Sequence, residues 1–306
     1  MKILVTGGAG YLGSVMVPLL LEAGHEVTVI DNFVHRENSL AAVCRHPRFA
    51  VHYVDCRDSS AVKPYAVHAD AVIPLAALVG APICNLNPTD AELLNVDALI
   101  DLIAMLSPNQ IVLNPSTESV YGRQAELCTE NTPCAPLVSY GRQKMDIEHV
   151  LDDRGNAVSF RTATLFGMSP RMRLDLLVND FTFRAVKDRA LVVFEGNAMR
   201  TYSHVHDAAR GFVHMLDHVT DRHEVYNMGS VTCSKLSLCA AIKKQVPDFF
   251  YTEAQFGTDP DARDYVVSDA KIKATGYTAT MSLDDGITEL VKGYRYLSNN
   301  RYSNMP

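Results

Sequence analysis

Tyr140 stands four residues before Lys144 in the stretch SYGRQK. On a helix those positions share a face, which brings an ammonium beside a phenol. A free phenol titrates near 10 and is a poor base at neutral pH, but a neighbouring cation favours the phenolate. Such a pair can take the proton of an alcohol while a hydride leaves its carbon. With 13 tyrosines in the chain, the same spacing also suits a plain surface pair. A second chemical stretch is STESVYG, Ser116 to Gly122, where the hydroxyls of Thr117 and Ser119 flank the carboxylate of Glu118. Hydroxyls can orient an oxygen of a bound molecule and a carboxylate can move protons. A loop carboxylate facing solvent or holding backbone is the other reading.

Gly7, Gly10 and Gly13 follow an apolar run, KILVT, and open a helical pattern. Glycines there let backbone N–H groups approach a pyrophosphate at a helix N-terminus. The spacing is GxxGxxG rather than GxGxxG, and a glycine-rich turn also serves an ordinary strand–helix connection. Asp31 strengthens the cofactor reading. It ends the second strand pattern 18 residues after Gly13, where a carboxylate accepts ribose hydroxyls and repels a 2′-phosphate. NAD rather than NADP is therefore expected, and its oxidised nicotinamide would add a positive charge beside Tyr140. Asp55, beside Cys56, ends the third strand pattern and suits either the adenine edge or solvent.

These residues need a scaffold. Apolar runs KILVTG, EVTVID, FAVHYVD, AVIPLA and QIVLN alternate with helical segments, one from about Asn87 to Leu106 with Asn87 as its cap. Continuous apolar strands between helices predict an α/β fold, a doubly wound parallel sheet covered on both faces. The pattern loosens after about Thr164, so a division into 1–165 and 166–306 is expected, with segments that can interleave. SLDDGITELVKGYRYL reads as a last helix capped by Ser282 with Asp285.

Composition narrows the partners. Of 306 residues, 47% are hydrophobic and 21% charged, and the net charge is −7. No basic run interleaves with aromatics, which argues against nucleic acid. Seven scattered cysteines without a CxxC read as reduced thiols, and no apolar stretch is long enough to span a bilayer. A soluble, cytoplasmic protein is expected. His204 with His206, and His214 with His218, have metal-like spacings, but no third ligand is evident and no metal is expected. Met168, Met172 and Met199 are expected to fill space around a site.

Together, GxxGxxG, Asp31, PLAALVG, STESVYG and YGRQK stand in the order seen in extended short-chain dehydrogenases/reductases. The resemblance continues through RTATLFG, RTYSHVHD and DPDARDYVVS and covers nearly the whole chain. One departure is Pro74, where many members have His before LAA. AALVGAPIC, SPRMRLDLLVNDFTFRAV and DPDARDYVVS look nearest to bacterial GDP-heptose 4-dehydrogenases of surface-polysaccharide synthesis. The resemblance implies a seven-stranded, NAD-binding Rossmann domain over 1–165, a smaller, mainly nucleotide-sugar-binding domain over 166–306, tightly held NAD, a nucleotide-diphosphate sugar substrate and a homodimer. It implies catalysis by Thr117, Tyr140 and Lys144, and cofactor contacts from Gly7, Gly10, Tyr11, Leu12, Gly13, Asp31, Asn32, Asp55, Cys56, Leu75, Ala76, Ala77, Tyr140, Lys144 and Leu165. Substrate contacts are expected from Val79, Thr117, Glu118, Ser119, Asn179, Arg200 and Arg263, with Arg171 and Arg173 as further guanidiniums for the diphosphate. Related dehydratases place an Asp–Glu pair, or a Glu in the second place, after the Thr. Here those places hold Glu118 and Ser119, which argues against elimination of water. The expected activity is oxidation of a sugar C4 hydroxyl, ending in 4-epimerisation or release of the 4-keto sugar. A 4,6-dehydratase, a 4-keto reductase and a non-catalytic NAD sensor are the alternatives.

Overall fold

The computed structural model describes residues 1–254, 265–297 and 303–304. In the first half, β1 (Lys2–Thr6), β2 (Glu26–Asp31), β3 (Phe49–Tyr53), β4 (Ala71–Pro74), β5 (Ile111–Thr117) and β6 (Ala157–Thr162) alternate with helices. These are α1 (Gly13–Glu22), α2 (Ser59–Ala66), α3 (Ala81–Leu86), α4 (Pro88–Glu92), α5 (Ala98–Met105) and α6 (Ser139–Arg154). The second half runs β7 (Thr164–Phe166), α7 (Leu177–Lys187), β8 (Ala190–Val193), β9 (Met199–His204), α8 (Val205–Met215) and β10 (His223–Met228). It continues with β11 (Val231–Ser234), α9 (Lys235–Gln245), β12 (Phe250–Glu253), α10 (Ala270–Ala274) and α11 (Leu283–Tyr294).

Seven strands form one parallel sheet in the order β10-β6-β5-β4-β1-β2-β3. Ile3, Leu4, Val5, Val72, Ile73 and Leu113 are each no more than 1% exposed, as strands covered on both faces require. The strand order reverses between β1 and β4, so a crevice opens there at the carboxyl ends of the strands. The fold is the doubly wound α/β expected. Pro74 ends β4 opposite Thr6, where the following Leu75 N–H donates to Thr6 O at 2.9 Å. The seventh strand, β10, comes from the EVYNMG stretch of the second half and pairs with β6. The remainder of that half builds a three-stranded sheet, β11-β9-β7, and a two-stranded sheet, β12-β8, over a core that includes Phe166, Tyr202 and Tyr294.

The stretch expected as one helix from Asn87 is divided. A π-helical turn, Leu93–Asp97, lies between α4 and α5. Asn87 does not cap α4 with its side chain; its amide donates instead to Ile83 O at 3.3 Å. The capping box at Ser282 and Asp285 is present.

A buried ion pair ties the elements that carry the chemistry. Arg161 of β6 donates to both oxygens of Glu148 on α6, with Nη2 at 2.7 Å from Oε2. Ser116 of β5 donates to the same carboxylate, and Arg161 Nη1 donates to the Tyr121 hydroxyl at 3.1 Å. Both charged side chains are under 10% exposed. Removing one partner of such a pair strands the other charge. Glu148→Ala should cost about 3–5 kcal/mol, read by urea unfolding, whereas the joint replacement of Glu148 by Leu and Arg161 by Met should recover most of that loss. A double-variant loss equal to the sum of the losses of the two single variants would show that the charges are not coupled.

Candidate active site

A cavity of about 1030 Å³ follows the crevice and runs on into the second half of the chain. Its wall includes Gly7, Gly10, Tyr11, Leu12 and Gly13 of the turn, Asp31 and Asn32 after β2, Asp55 and Cys56 after β3, and Leu75, Ala76, Ala77 and Val79 after β4. Thr117, Ser119, Tyr140, Lys144, Leu165 and Arg200 complete the site residues that it brings together.

Local structure explains the turn. Gly7 has φ +66°, and a Cβ there would lie 2.6 Å from Ala76 N. Any side chain would drive the turn off β4 and fill the space in front of the α1 N-terminus. Asp31 accepts from Ala9 N–H at 3.0 Å and from Phe33 N–H at 2.7 Å. Burial nevertheless pushes its carboxyl above the ordinary value. Asp55 is held well below the usual carboxylate range, to about 2, chiefly by hydrogen bonds from Arg57. The Cys56 thiol is pushed up to about 12 by burial.

The reactive end is built by β5 and α6. Thr117 ends β5, and its Oγ1 accepts from Ser119 N–H at 3.2 Å, starting a 3-10 turn over Glu118–Tyr121. Ser119 Oγ lies 3.2 Å from the same hydroxyl. Tyr140 and Lys144 lie in α6, with Nζ 6.0 Å from the Tyr140 ring centre. Lys144 is 3% exposed, and no hydrogen-bond partner for its ammonium is found among the described residues.

Behind Lys144, Asn95 of the π turn accepts from Leu78 N–H at 2.8 Å and donates to Leu78 O at 2.9 Å. It also donates to Gln143 Oε1 at 3.0 Å. A π turn re-aims one side chain out of helical phase. Here it points an asparagine inward to fix both the β4 loop and the residue beside Lys144. Sequence reasoning missed Asn95; a single Asn in the apolar run ELLNVDAL was the available signal.

Several expected contacts lie elsewhere. Glu118 does not line the cavity; it is 1% exposed, and Oε1 lies 2.7 Å from where a Gly229 Cβ would stand. The strand-to-turn change after Thr117 sends the two neighbouring side chains apart. Asn179 does not line the cavity either. Its amide oxygen accepts from Gly167 N–H at 3.0 Å, and its nitrogen donates to Tyr11 Oη at 3.1 Å and Arg173 O at 2.8 Å. Tyr11, although on the wall, donates its hydroxyl to Gly167 O at 2.7 Å. These two residues clamp the second half of the chain to the glycine turn. Arg173 is paired with Asp175, and Arg171 faces Glu37, on the Asp31 side of the cavity. Arg263 lies outside the described residues. Met168 packs on Gly293 and Met172 is core, and neither lines the wall. His204 pairs with Glu289 at 2.6 Å, while His214 stacks on His218. Among the described residues no group of three His, Cys, Asp or Glu is gathered for a metal, and no helix is long and apolar enough to cross a membrane.

A doubly wound sheet, a glycine turn, a strand-end Asp and a Tyr–Lys helix beside a Thr define a protein of the short-chain dehydrogenase/reductase class. The chain belongs to the NAD dependent epimerase/dehydratase family, which it matches over residues 3–229. It is 28% identical to UDP-glucuronic acid decarboxylase 1 of Arabidopsis thaliana over 96% of this chain and 70% of that protein. It is 31% identical to UDP-glucose 4-epimerase 2 of the same plant, over 79% and 80%. Among solved structures, the UDP-glucose 4-epimerase of Thermus thermophilus in complex with NAD superposes with a TM-score of 0.83 at 23% identity, covering 97% and 99% of the two chains. A dTDP-glucose 4,6-dehydratase of Streptomyces venezuelae with NAD bound gives 0.83 at 24%, covering 96% and 97%. These structures share the fold.

NAD is the cofactor of this family, and the residues present fit it. The Gly7 cradle has no room for a Cβ, Asp31 lines the cavity beside the glycine turn, and Lys144 is buried on the wall with no acceptor for its ammonium among the described residues.

That ammonium carries a cost. Burial holds it down at about 8 from its ordinary 10.5. Between those values the unfolded chain binds more protons than the folded one, so this contribution to stability rises with pH. Below about 8 the full penalty is present, on the order of 3 kcal/mol. Nucleotide-free Lys144→Met protein should therefore gain most in melting temperature near neutral pH, and the gain should shrink as pH approaches roughly 10. A gain that does not vary with pH would mean that folding leaves the proton affinity of the amine unchanged.

Proposed function

We propose that this protein oxidises the C4 hydroxyl of a nucleotide-activated sugar with NAD and does not eliminate water from it. The product is then either the 4-epimer or the released 4-keto sugar, as in the GDP-heptose 4-dehydrogenases that the motifs resemble. The observation that carries this is the reactive end of the cavity. Thr117, Ser119, Tyr140 and Lys144 line it, while Glu118 is turned out of it.

In this reading Tyr140 takes the proton from the C4 hydroxyl. Thr117 hydrogen-bonds the same oxygen and orients it. Bound NAD supplies the hydride acceptor. Lys144 holds the nicotinamide ribose, and its charge favours the Tyr140 phenolate. Its burial makes that charge effective, because little water screens it. Arg200, 5% exposed and on the wall in β9, suits the substrate diphosphate. Arg263 is proposed for the same group.

A 4-keto sugar has an acidified C5 proton in any such enzyme, yet loss of water needs a base on that proton and an acid for the leaving hydroxyl. Ser119 cannot be that base without a strong neighbour. Among the carboxylates on the wall, Asp175 pairs with Arg173, Asp180 with Arg184, and Asp55 and Asp90 with Arg57, while Asp31 and Glu37 stand at the cofactor end. A non-catalytic sensor has no use for the Tyr–Lys pair.

Two measurements test this. Tyr140→Phe should still bind NAD while turnover falls roughly a hundred- to ten-thousand-fold; full activity in that variant would remove Tyr140 from the role of base. With UDP-glucose, UDP-glucuronic acid and GDP-heptose offered in turn, mass spectrometry should find an isobaric product or one lighter by two hydrogens. A dominant product lighter by one water would overturn the proposal.

A further inference from the structure

Glu37 and Arg171 meet at the Asp31 side of the cavity, and all three line it. Arg171 Nε lies 3.8 Å from Glu37 Oε1, which is ion-pair range but too long for a hydrogen bond. Among the described residues, Arg171 Nε and Glu37 Oε2 are buried without a hydrogen-bond partner. The rest of the guanidinium is spent on backbone: Nη1 donates to Met172 O at 3.2 Å and Nη2 to Ser303 O at 3.5 Å. The Arg171 side chain is 2% exposed and that of Glu37 20%. A buried pair with unfilled hydrogen-bonding capacity on both partners is costly until a ligand completes it.

The surroundings say which ligand. Asp31 is close enough to feel Arg171, and both its oxygens already accept a backbone N–H, which leaves its charge partly compensated. The nearby His35 imidazole is held down at about 4 by burial and then by Arg171 and Arg173. Without Glu37, Arg171 would therefore present an Nε with no carboxylate against it, while of the other nearby carboxylates Asp31 is compensated by backbone N–H groups and Asp175 is paired with Arg173. That arrangement suits a phosphate, for which guanidinium is a preferred partner. With Glu37 present, the guanidinium is occupied and a carboxylate oxygen is left over. A vicinal diol, which donates and carries no charge, suits that oxygen.

We propose that Glu37 is a specificity-determining residue of the cofactor site: it masks Arg171 from a 2′-phosphate, and its Oε2 accepts a hydrogen bond from the adenosine ribose beside Asp31. The strand-end Asp31 then acts with a second carboxylate, and the choice of NAD over NADP depends on a residue from each half of the chain. This rests on the reading of the cavity as an NAD site.

The test is calorimetric titration of the full chain, freed of retained nucleotide, with NAD and with NADP. The unaltered protein should prefer NAD. Glu37→Gln keeps the shape and removes the charge, so it should weaken NAD severalfold and strengthen NADP by about ten- to a hundredfold, the range of a hydrogen bond to a charged group. Adding Arg171→Met to that variant should abolish the NADP gain while NAD still binds. Should the Gln variant not fold, Glu37→Ser carries the same expectation. An NAD-to-NADP ratio unchanged in a folded Glu37 variant overturns the inference alone. Failure of the unaltered protein to bind either dinucleotide overturns the cofactor reading together with it.

Discussion

The Glu148–Arg161 pair is the constraint on which the reactive end depends. Thr117 is delivered by a strand and the Tyr140–Lys144 pair by a helix. Glu148 sits one turn after Lys144 on α6, and Ser116 sits immediately before Thr117 on β5; both belong to one buried hydrogen-bonded unit with Arg161. Tyr121 extends it, donating to Asn227 of β10 at 2.6 Å. Three adjacent strands and the helix over them are thereby held in one register. Hydroxyl and phenol can act on one oxygen only if that register is fixed to a fraction of an ångström.

A second linkage joins the halves of the chain, and it passes through the cofactor turn. Tyr11 and Ser14 at the start of α1 bond to Gly167, Ser169 and Asn179 of the segment that leads into α7. Ser169 also donates to Tyr11 O at 2.7 Å. All these groups are buried, so the bonds are made in a low dielectric and are costly to leave unmade. The glycine turn is thus also the footing of the second half of the chain. Anything that settles the turn also settles α7 and the Arg171–Asp175 stretch, which forms part of the same cavity wall.

What the sequence made legible follows the range of the interactions. The alternation of apolar strands and helices, the glycine turn and the Ser282–Asp285 box are each written within a few residues, and the sheet and cap appear where the pattern put them. The return of EVYNMG to the large sheet was not legible, because a six-residue strand does not name its partner. Asn179 looks like a ligand-binding residue in one dimension. Only the fold shows that its amide is taken up by Gly167, Tyr11 and Arg173, off the cavity wall. Glu118 and Ser119 stand next to each other in sequence, and a 3-10 turn decides which of them reaches the cavity. The π turn at Asn95 and the meeting of Glu37 with Arg171 depend on backbone phase and on a contact between distant segments, neither of which leaves a periodic trace.

The same physics runs through the groups that matter most. Lys144 and Arg171 are buried and Asp31 is half-buried, and burial disfavours the charged form of each. The fold tolerates this at the cavity wall, where a dinucleotide carries the complementary groups, and avoids it elsewhere: Glu148 with Arg161 is fully hydrogen-bonded, and Asp207 accepts from Thr280 N–H, Met281 N–H and Arg210. Buried charge left short of partners therefore marks the functional surface, and buried charge fully satisfied marks the framework. By that criterion Lys144 and the Glu37–Arg171 pair belong with the cofactor, while Glu148, Arg161 and Asp207 belong with the architecture that holds it.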